Sequence, residues 1–421
     1  MSGMLKNTDK GACMGFPTYA KGQYQVSFEE RIDFHRLRRE RIARTLEAMR
    51  AEGVDALLLW KDENVRYLSD LRAIMIQYRS TTTYGVLLFA DGHLTLFASG
   101  GEVARAREVM PWIQDLVAIP ILDERGLVET VLHTEIIPRL ADKGVLHGRI
   151  GVDGMTYPQM RAYQSALAGA ELVDGETLMQ KVRRIKTVDE VAILQEAMAV
   201  ADAVTQAAID AVRPGVRECE IAGEAMKVLF SLGGEFAHLA SPFVASGERM
   251  SPPTRFATDK LVRHGDLVFI DIGACWNGYF GDVGRAVICG QPSAMQKKIY
   301  QTVYEALQAG IEKMRPGNTN EDVARAIRST AAKRGLQDHF INLFIGHGIG
   351  ISPNEPPYIG EQTPGAEEVV LEPGMVFAVE PLIWVPGVRG GGGVRLEETI
   401  LITDGEALVM SRAPFDERLL T

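Results

Sequence analysis

Cysteine is scarce in this chain, with four in 421 residues, and none of Cys13, Cys219, Cys275 and Cys289 forms a CxxC pair. That excludes a disulfide framework and a thiolate zinc site, and reads the thiols as reduced and packed inside. No apolar run approaches the ~18 residues of a membrane span, and residues 1–27 lack the apolar stretch of a signal peptide. Blocks of Lys or Arg are missing too, and the formal net charge is −10. Neither a nucleic-acid backbone nor an anionic membrane surface is therefore an expected partner. Gly390 to Gly393 has neither the Lys-Ser/Thr of a phosphate loop nor GxGxxG spacing after a strand, and is expected to be a flexible connection. These absences point to a cytoplasmic globular protein that acts on a small molecule or a short peptide.

What is present argues for two domains, because 421 residues at 46% hydrophobic composition exceed one ordinary core. Residues 28–52 repeat apolar positions at helical spacing and end at Gly53. VDALLLW reads as a buried strand, YGVLLFADGHLTLFAS as a hairpin around Asp91-Gly92, and RIGVDG as a strand before a turn. The pattern predicts an extension over 1–27, a small α/β domain over 28–177 and a second domain over 178–421. Thr187 to Glu190 has the form of a capping box that opens a helix running to Pro214-Gly215. The second domain contains a repeat: RPGVRECEIAGEAMKVLFSLGG from Arg213 lines up with RPGNTNEDVARAIRSTAAKRGL from Arg315. Each is a helix end, a stop, a second helix and a terminal glycine before strand-like sequence. Two similar halves predict a pseudo-symmetric domain with room for a site between them.

The segment FIDIGACWNGYFGDVGRAV, residues 269–287, carries two acids where a buried hairpin should be apolar. With Asn277-Gly278 as a two-residue turn, Trp276 pairs with Tyr279, Gly273 faces Asp282 and Asp271 faces Gly284. Both aspartates then lie on one face, roughly 7 Å apart on the diagonal, each opposite a glycine that leaves space. Two such carboxylates resist ionisation unless a cation lies between them. The alternative, solvent-facing acids on an edge hairpin, fits poorly with flanks that are apolar on both faces. Glu380 ends the apolar strand of GMVFAVEPLI, Glu397 sits inside that of GGVRLEETILIT, and His347 follows another in LFIGHGIGIS. A lone core histidine is ordinarily a hydrogen-bonded structural group. Four acids and an imidazole, each emerging from an apolar strand, share metal binding as an explanation, and oxygen donors with one nitrogen suit Mn, Fe, Co or Zn.

Through DIGACWNGYFGDVGR, GHGIG, AVEP and GVRLEE, in the order Asp, Asp, His, Glu, Glu, residues 180–405 resemble the creatinase, prolidase and aminopeptidase P family. VDALLLWKDENVRYLSDL and RRIKTVDE resemble that family's first domain more loosely. The resemblance implies an α/β (α+β) chain: a small creatinase-like domain, then a pseudo-symmetric pita-bread catalytic domain, assembled as a homodimer. It implies two divalent metals (Mn, Co, Zn or Fe, with manganese first), Asp271 on one, His347 and Glu380 on the other, Asp282 and Glu397 bridging. The pair would activate water to cleave a C–N bond while Glu380 shuttles a proton and Arg395 holds the bridging carboxylates. The implied activity is Xaa-Pro dipeptidase- or aminopeptidase-like. The alternative is a relative acting on a small metabolite, as creatinase, ectoine hydrolase and dimethylsulfoniopropionate lyases do. The lyases carry an extra aspartate at the position of Gly273.

Some positions depart from the family pattern. Proline-specific members have histidines where this chain has Thr254 and Asn354, and aminopeptidase P has a third where Leu343 stands. Neither Thr nor Asn titrates near neutral pH. Thr254, Asn354 and His238 are the expected substrate-pocket residues. Gly284 stands where the family usually has Ser or Thr.

Overall fold

The computed structural model describes residues 32–72, 81–113, 115–238, 242–250, 256–341, 345–360 and 366–421. The expected extension 1–27, Thr254 and Leu343 lie outside the described residues. The chain divides into two compact units, Met1–Val182 and Arg183–Thr421, where the sequence predicts a division after residue 177. No helix among the described residues is long and apolar enough to cross a membrane.

In the first unit the helix predicted from residue 28 runs over Phe34–Glu52. Asp33 sets its start by accepting the Arg36 N–H, and Gly53 ends it with φ 65°. Strands β1 (Ala56–Leu59), β2 (Gly85–Phe89), β3 (Leu94–Ala98), β4 (Asp115–Ala118), β5 (Arg149–Val152) and β6 (Glu171–Asp174) form one sheet in the order β4-β3-β2-β1-β5-β6. The sheet is mixed: β1 is antiparallel to β2 and parallel to β5. Its core gathers Leu58, Trp60, Leu87, Phe97 and Ile150, with the Trp60 and Phe97 rings stacked at 6.0 Å.

The second unit builds two helix pairs. The helix Val188–Ala211, opened by the Thr187–Glu190 capping box, packs on Glu218–Ser231. The helix Ala294–Ile311, opened by a Ser293–Gln296 box, packs on Asn320–Lys333. The two Arg-Pro-Gly segments lead into the second helix of each pair, and Gly233 and Gly335 follow those helices at φ 78° and 69°. Strands β7 (Phe236–Ala237), β8 (Phe243–Ser246), β9 (Leu267–Asp271), β10 (Ala274–Trp276), β11 (Tyr279–Gly281) and β12 (Gly284–Ile288) form two sheets, β11-β10-β7 and β12-β9-β8. The later half supplies β13 (Gly346–Gly348), β14 (Glu355–Ile359), β15 (Val376–Val379), β16 (Leu382–Trp384), β17 (Gly393–Arg395), β18 (Glu398–Leu401) and β19 (Leu408–Val409). Their sheets are β14-β13-β15-β18-β19 and β16-β17.

Leu267 and Ile288 of the first half share one buried cluster with Ile299, Phe377, Val379, Val394 and Ile400 of the second. Each such side chain contributes about 1.5–3 kcal/mol relative to exposure. That shared core joins the halves and gives the polar groups between them a rigid frame.

Candidate metal centre

The hairpin forms in the predicted register. Asn277 and Gly278 have φ 47° and 81°, as a two-residue turn with both central residues left-handed requires. Trp276 faces Tyr279 and Gly284 faces Asp271. The pair breaks in the middle, so that β10 and β11 join one sheet while β9 and β12 join another. Asp271 stands at the end of β9, and Asp282 lies at the break.

His347 is inside β13, opposite Ala378 of β15, and not after a strand as expected. Glu380 follows β15 directly, its N–H bonded to the Ile345 carbonyl at 2.7 Å. Glu397 lies in the step between β17 and β18 and not within a strand. There its N–H bonds the Gly284 carbonyl at 3.0 Å, and this bond to β12 brings it over the hairpin. All five side chains are buried, at 1–4% exposure.

The structure gathers these five residues from both halves. Ligand atoms of Asp282, His347 and Glu397 lie within 4.8 Å of one another, as do those of Asp271, Glu380 and Glu397. His347 Nε2 is 3.3 Å from Glu380 Oε1. Arg395 pairs with Glu380 Oε2 at 2.9 Å and with Asp271, in place of the expected Asp282 and Glu397, and its guanidinium lies 5.0 Å over the Phe269 ring. Arg395 leaves β17 on the side of β9 and the end of β15, so those carboxylates are within its reach.

Burial, then the charges of Glu397 and Glu380, pushes the Asp282 carboxyl well above its ordinary range. Burial and Glu380 push Glu397 up to about 8. Burial opposes a charge on His347, but Glu380 and Glu397 outweigh it and raise the imidazole. Asp271 Oδ1, Asp282 Oδ1 and Glu397 Oε2 are buried and accept no hydrogen bond. An uncompensated buried carboxylate is penalised by several kcal/mol. Mostly oxygen donors with unmet lone pairs, with the His347 imidazole beside them, fit divalent cations.

The glycines act differently from the expectation that they leave space for a metal. A Cβ on Gly273 would lie 2.7 Å from His238 Nδ1, and one on Gly284 would lie 2.9 Å from Glu397 Oε2. Protein atoms already occupy both spaces. Gly390 to Gly393, expected to be a flexible connection, is tightly packed. A Cβ on Gly391 would lie 2.5 Å from the Gly247 carbonyl, and one on Gly393 2.8 Å from that of Met250. The Gln296 amide donates to the carbonyls of Gly265 at 3.1 Å and Gly390 at 3.2 Å. This loop joins β16 to β17, so its packing sets where Arg395 and Glu397 stand.

Of the expected pocket residues, Asn354 is exposed, its carbonyl accepting from the Ser352 hydroxyl at 3.0 Å. His238 is buried against Asp271 and Asp282, and ligand atoms of these three lie within 4.8 Å of one another as a third group. Sequence reasoning passed over Arg285, whose guanidinium donates to the Gly284 carbonyl at 3.0 Å, to the Glu397 carbonyl and to Glu398 Oε1 at 2.9 Å. Its place at i+1 from Gly284 in an otherwise apolar strand was the available signal. Tyr279, whose hydroxyl donates to Glu190 Oε1 at 2.7 Å, was passed over as well.

Comparison with known proteins identifies the family. The model of metallopeptidase family M24 matches residues 192–404, and that of the creatinase/prolidase N-terminal domain matches 41–185. An Xaa-Pro dipeptidase of Pyrococcus furiosus is 30% identical over 371 residues, 88% of this chain and 97% of that protein. An uncharacterised peptidase of Bacillus subtilis is 31% identical over 86% of this chain and 95% of its own. Among solved structures, an Xaa-Pro dipeptidase from Bacillus anthracis has a TM-score of 0.76 at 29% identity, covering 90% of this chain and 98% of that one. The fold is thus a creatinase-like α/β domain followed by a pita-bread domain. The chain belongs to metallopeptidase family M24, and is a metallohydrolase with a creatinase/prolidase N-terminal domain.

Proposed function

We propose that this protein is a dinuclear metal-dependent dipeptidase that hydrolyses the peptide bond of Xaa-Pro substrates. The observation that carries the reading is the buried cluster of Asp271, Asp282, His347, Glu380 and Glu397, with three carboxylate oxygens that no protein donor satisfies. Its relatives include Xaa-Pro dipeptidases matched over nearly their whole length. Asp271 would hold one cation and His347 with Glu380 the other, with Asp282 and Glu397 between them and manganese the first candidate. Bound there, the cations would supply Lewis acidity to the scissile carbonyl and lower the pKa of the attacking water.

The chain's own residues do the rest. In this reading Glu380, whose Oε1 lies 3.3 Å from His347 Nε2, would take the proton from the attacking water and return it to the departing amine. Arg395 offsets the carboxylate charge at Asp271 and Glu380. Burial of the whole set excludes bulk water and strengthens each charge interaction. The substrate is a short peptide and the working unit a homodimer in this reading. A second reading, hydrolysis or lysis of a small metabolite, is favoured by one observation: the proton-carrying side chains of proline-specific relatives are replaced by Thr254 and an exposed Asn354.

The test is metal analysis of protein purified without chelator, followed by turnover of Xaa-Pro dipeptides beside longer peptides, creatine, ectoine and sulfonium betaines. Dipeptide turnover that disappears with Asp271→Ala is expected. Metal-loaded protein that turns over only a metabolite would replace the first reading by the second. Protein that binds Mn, Co, Zn or Fe no tighter than Asp271→Ala does would sink both.

A further inference from the structure

A buried imidazole outside the expected ligand set stands against the carboxylates. His238 follows β7, whose pairing with β10 sets Ala237 opposite Ala274. The His238 N–H donates to the Gly273 carbonyl at 3.1 Å, and the Gly273 N–H donates back to His238 Nδ1 at 2.6 Å. Ring and backbone thus close onto one residue of the hairpin. Nε2 lies 3.6 Å from Asp271 Oδ1, and Nδ1 lies 3.8 Å from Asp282 Oδ1. The Phe243 ring packs edge-on at 6.4 Å and fixes the imidazole plane.

A neutral imidazole has one nitrogen with a lone pair and one with a proton, and the partner of the first decides the tautomer. Here the Gly273 amide uses the Nδ1 lone pair, so the proton sits on Nε2. A ring protonated on both nitrogens would set N–H against N–H. Binding a cation through Nε2 would move the proton to Nδ1, straight into the same amide. Binding through Nδ1 would break the 2.6 Å bond and leave a buried N–H unpaired. Distance alone admits His238, Asp271 and Asp282 as a metal triad, and the hydrogen bonding rules it out.

We propose that His238 is a positioning residue that carries its proton on Nε2, directed at Asp271 Oδ1, and is not a metal ligand. The inference rests on the metal reading of the site. Asp271 Oδ1 accepts no direct hydrogen bond. At 3.6 Å the Nε2–H acts on it as an oriented dipole, short of a full bond, and biases which lone pairs of the carboxylate face a cation. Gly273 is required for this arrangement, because any Cβ there would displace the ring.

Calorimetric titration of metal-stripped wild type, His238→Gln and His238→Phe with Zn²⁺ tests it, alongside nitrogen-15 histidine spectra of metal-free and Zn²⁺-loaded wild type. All three proteins are expected to bind the same number of equivalents. His238→Phe should bind roughly 10-fold more weakly, and His238→Gln, whose amide N–H reaches the Nε2 position, should recover most of that loss. The spectra should show His238 as the Nε2–H tautomer in both states. An Nδ1–H tautomer, a lost equivalent in His238→Gln, or equal affinities for the two variants would overturn the inference while leaving the metal reading intact. A wild type that binds no Zn²⁺ would overturn both. Metal-free melting temperatures identify a variant that has failed to fold, in which case the wild-type tautomer decides.

Discussion

Glu397 Oε2 lies 2.9 Å from where a Cβ on Gly284 would stand. The backbone at Gly284 is not left-handed, so only Glu397 opposes a side chain there, through this oxygen and through its Cβ at 3.3 Å. The nearer atom is the far end of a flexible chain and can swing away, and the Cβ need give only by a few tenths of an ångström. Gly284→Ala is therefore expected to fold, with a metal-free melting temperature near wild type, yet to bind metal roughly 10-fold more weakly because the carboxylate has turned. Unchanged affinity by calorimetry would show that Glu397 is not held in the position seen here.

The raised acids predict how the metal-free protein responds to pH. Glu397 has a folded pKa of about 8 against an ordinary value of 4.5. Its contribution is fully favourable below pH 4.5 and is lost as pH rises through 8, because the folded state must then hold an unpaired charge. Asp282 acts in the same direction. Metal-free melting temperatures should fall between pH 5 and 8.5, and saturating Mn²⁺ should remove most of that decline. Binding should also release protons, measurable by titration in buffers of different ionisation enthalpy. A flat metal-free profile with no proton release would contradict the charge arrangement described here.

Glu355 is clamped by two cations, Arg183 Nε at 3.0 Å and Lys186 Nζ at 2.9 Å, with all three side chains buried. Burial alone would raise its pKa, but Lys186 and Arg183 lower it below the ordinary range. That stabilisation is present above pH 4.5 and fades as acid protonates the carboxylate. Glu355→Gln leaves two buried charges and should lower unfolding stability by about 3–5 kcal/mol in urea titrations near neutral pH. A loss under about 1 kcal/mol would mean the cations find water instead.

Gln296 ties the start of its helix to the glycine loop: its carbonyl oxygen accepts the Ser293 N–H at 2.8 Å while its amide reaches Gly265 and Gly390. Gln296→Ala should lose about 1–3 kcal/mol of stability from carbonyls left unpaired. Hydrogen exchange should quicken at the Leu267 amide, which bonds Gly390. If the loop is loose instead, exchange there will already be fast in the wild type.

Gly390→Ala probes the same loop through the backbone. Gly390 has φ 77°, and a Cβ would overlap the Gly265 carbonyl, so both strain and clash oppose the change. The variant should show reduced soluble yield and a melting temperature lower by several degrees. A melting temperature equal to wild type would show that the loop can leave its present packing.

The amino-acid sequence by itself determined whatever depends on neighbours along the chain. Asn277-Gly278 forced the hairpin turn and thereby the register of Asp271 and Asp282, because a two-residue turn with left-handed centres permits only one pairing. The Thr187–Glu190 box set the start of its helix in the same local way. Tertiary structure decided what depends on contacts distant in sequence. His238 meets Asp271 only because β7 lies beside β10, and Arg395 meets Asp271 and Glu380 only because β17 runs past β9 and the end of β15. Gly390 to Gly393 read as loose because glycine lacks a side chain to reveal its partners. In the fold that same lack lets backbones approach within van der Waals reach, which is what fixes the loop leading into Arg395 and Glu397.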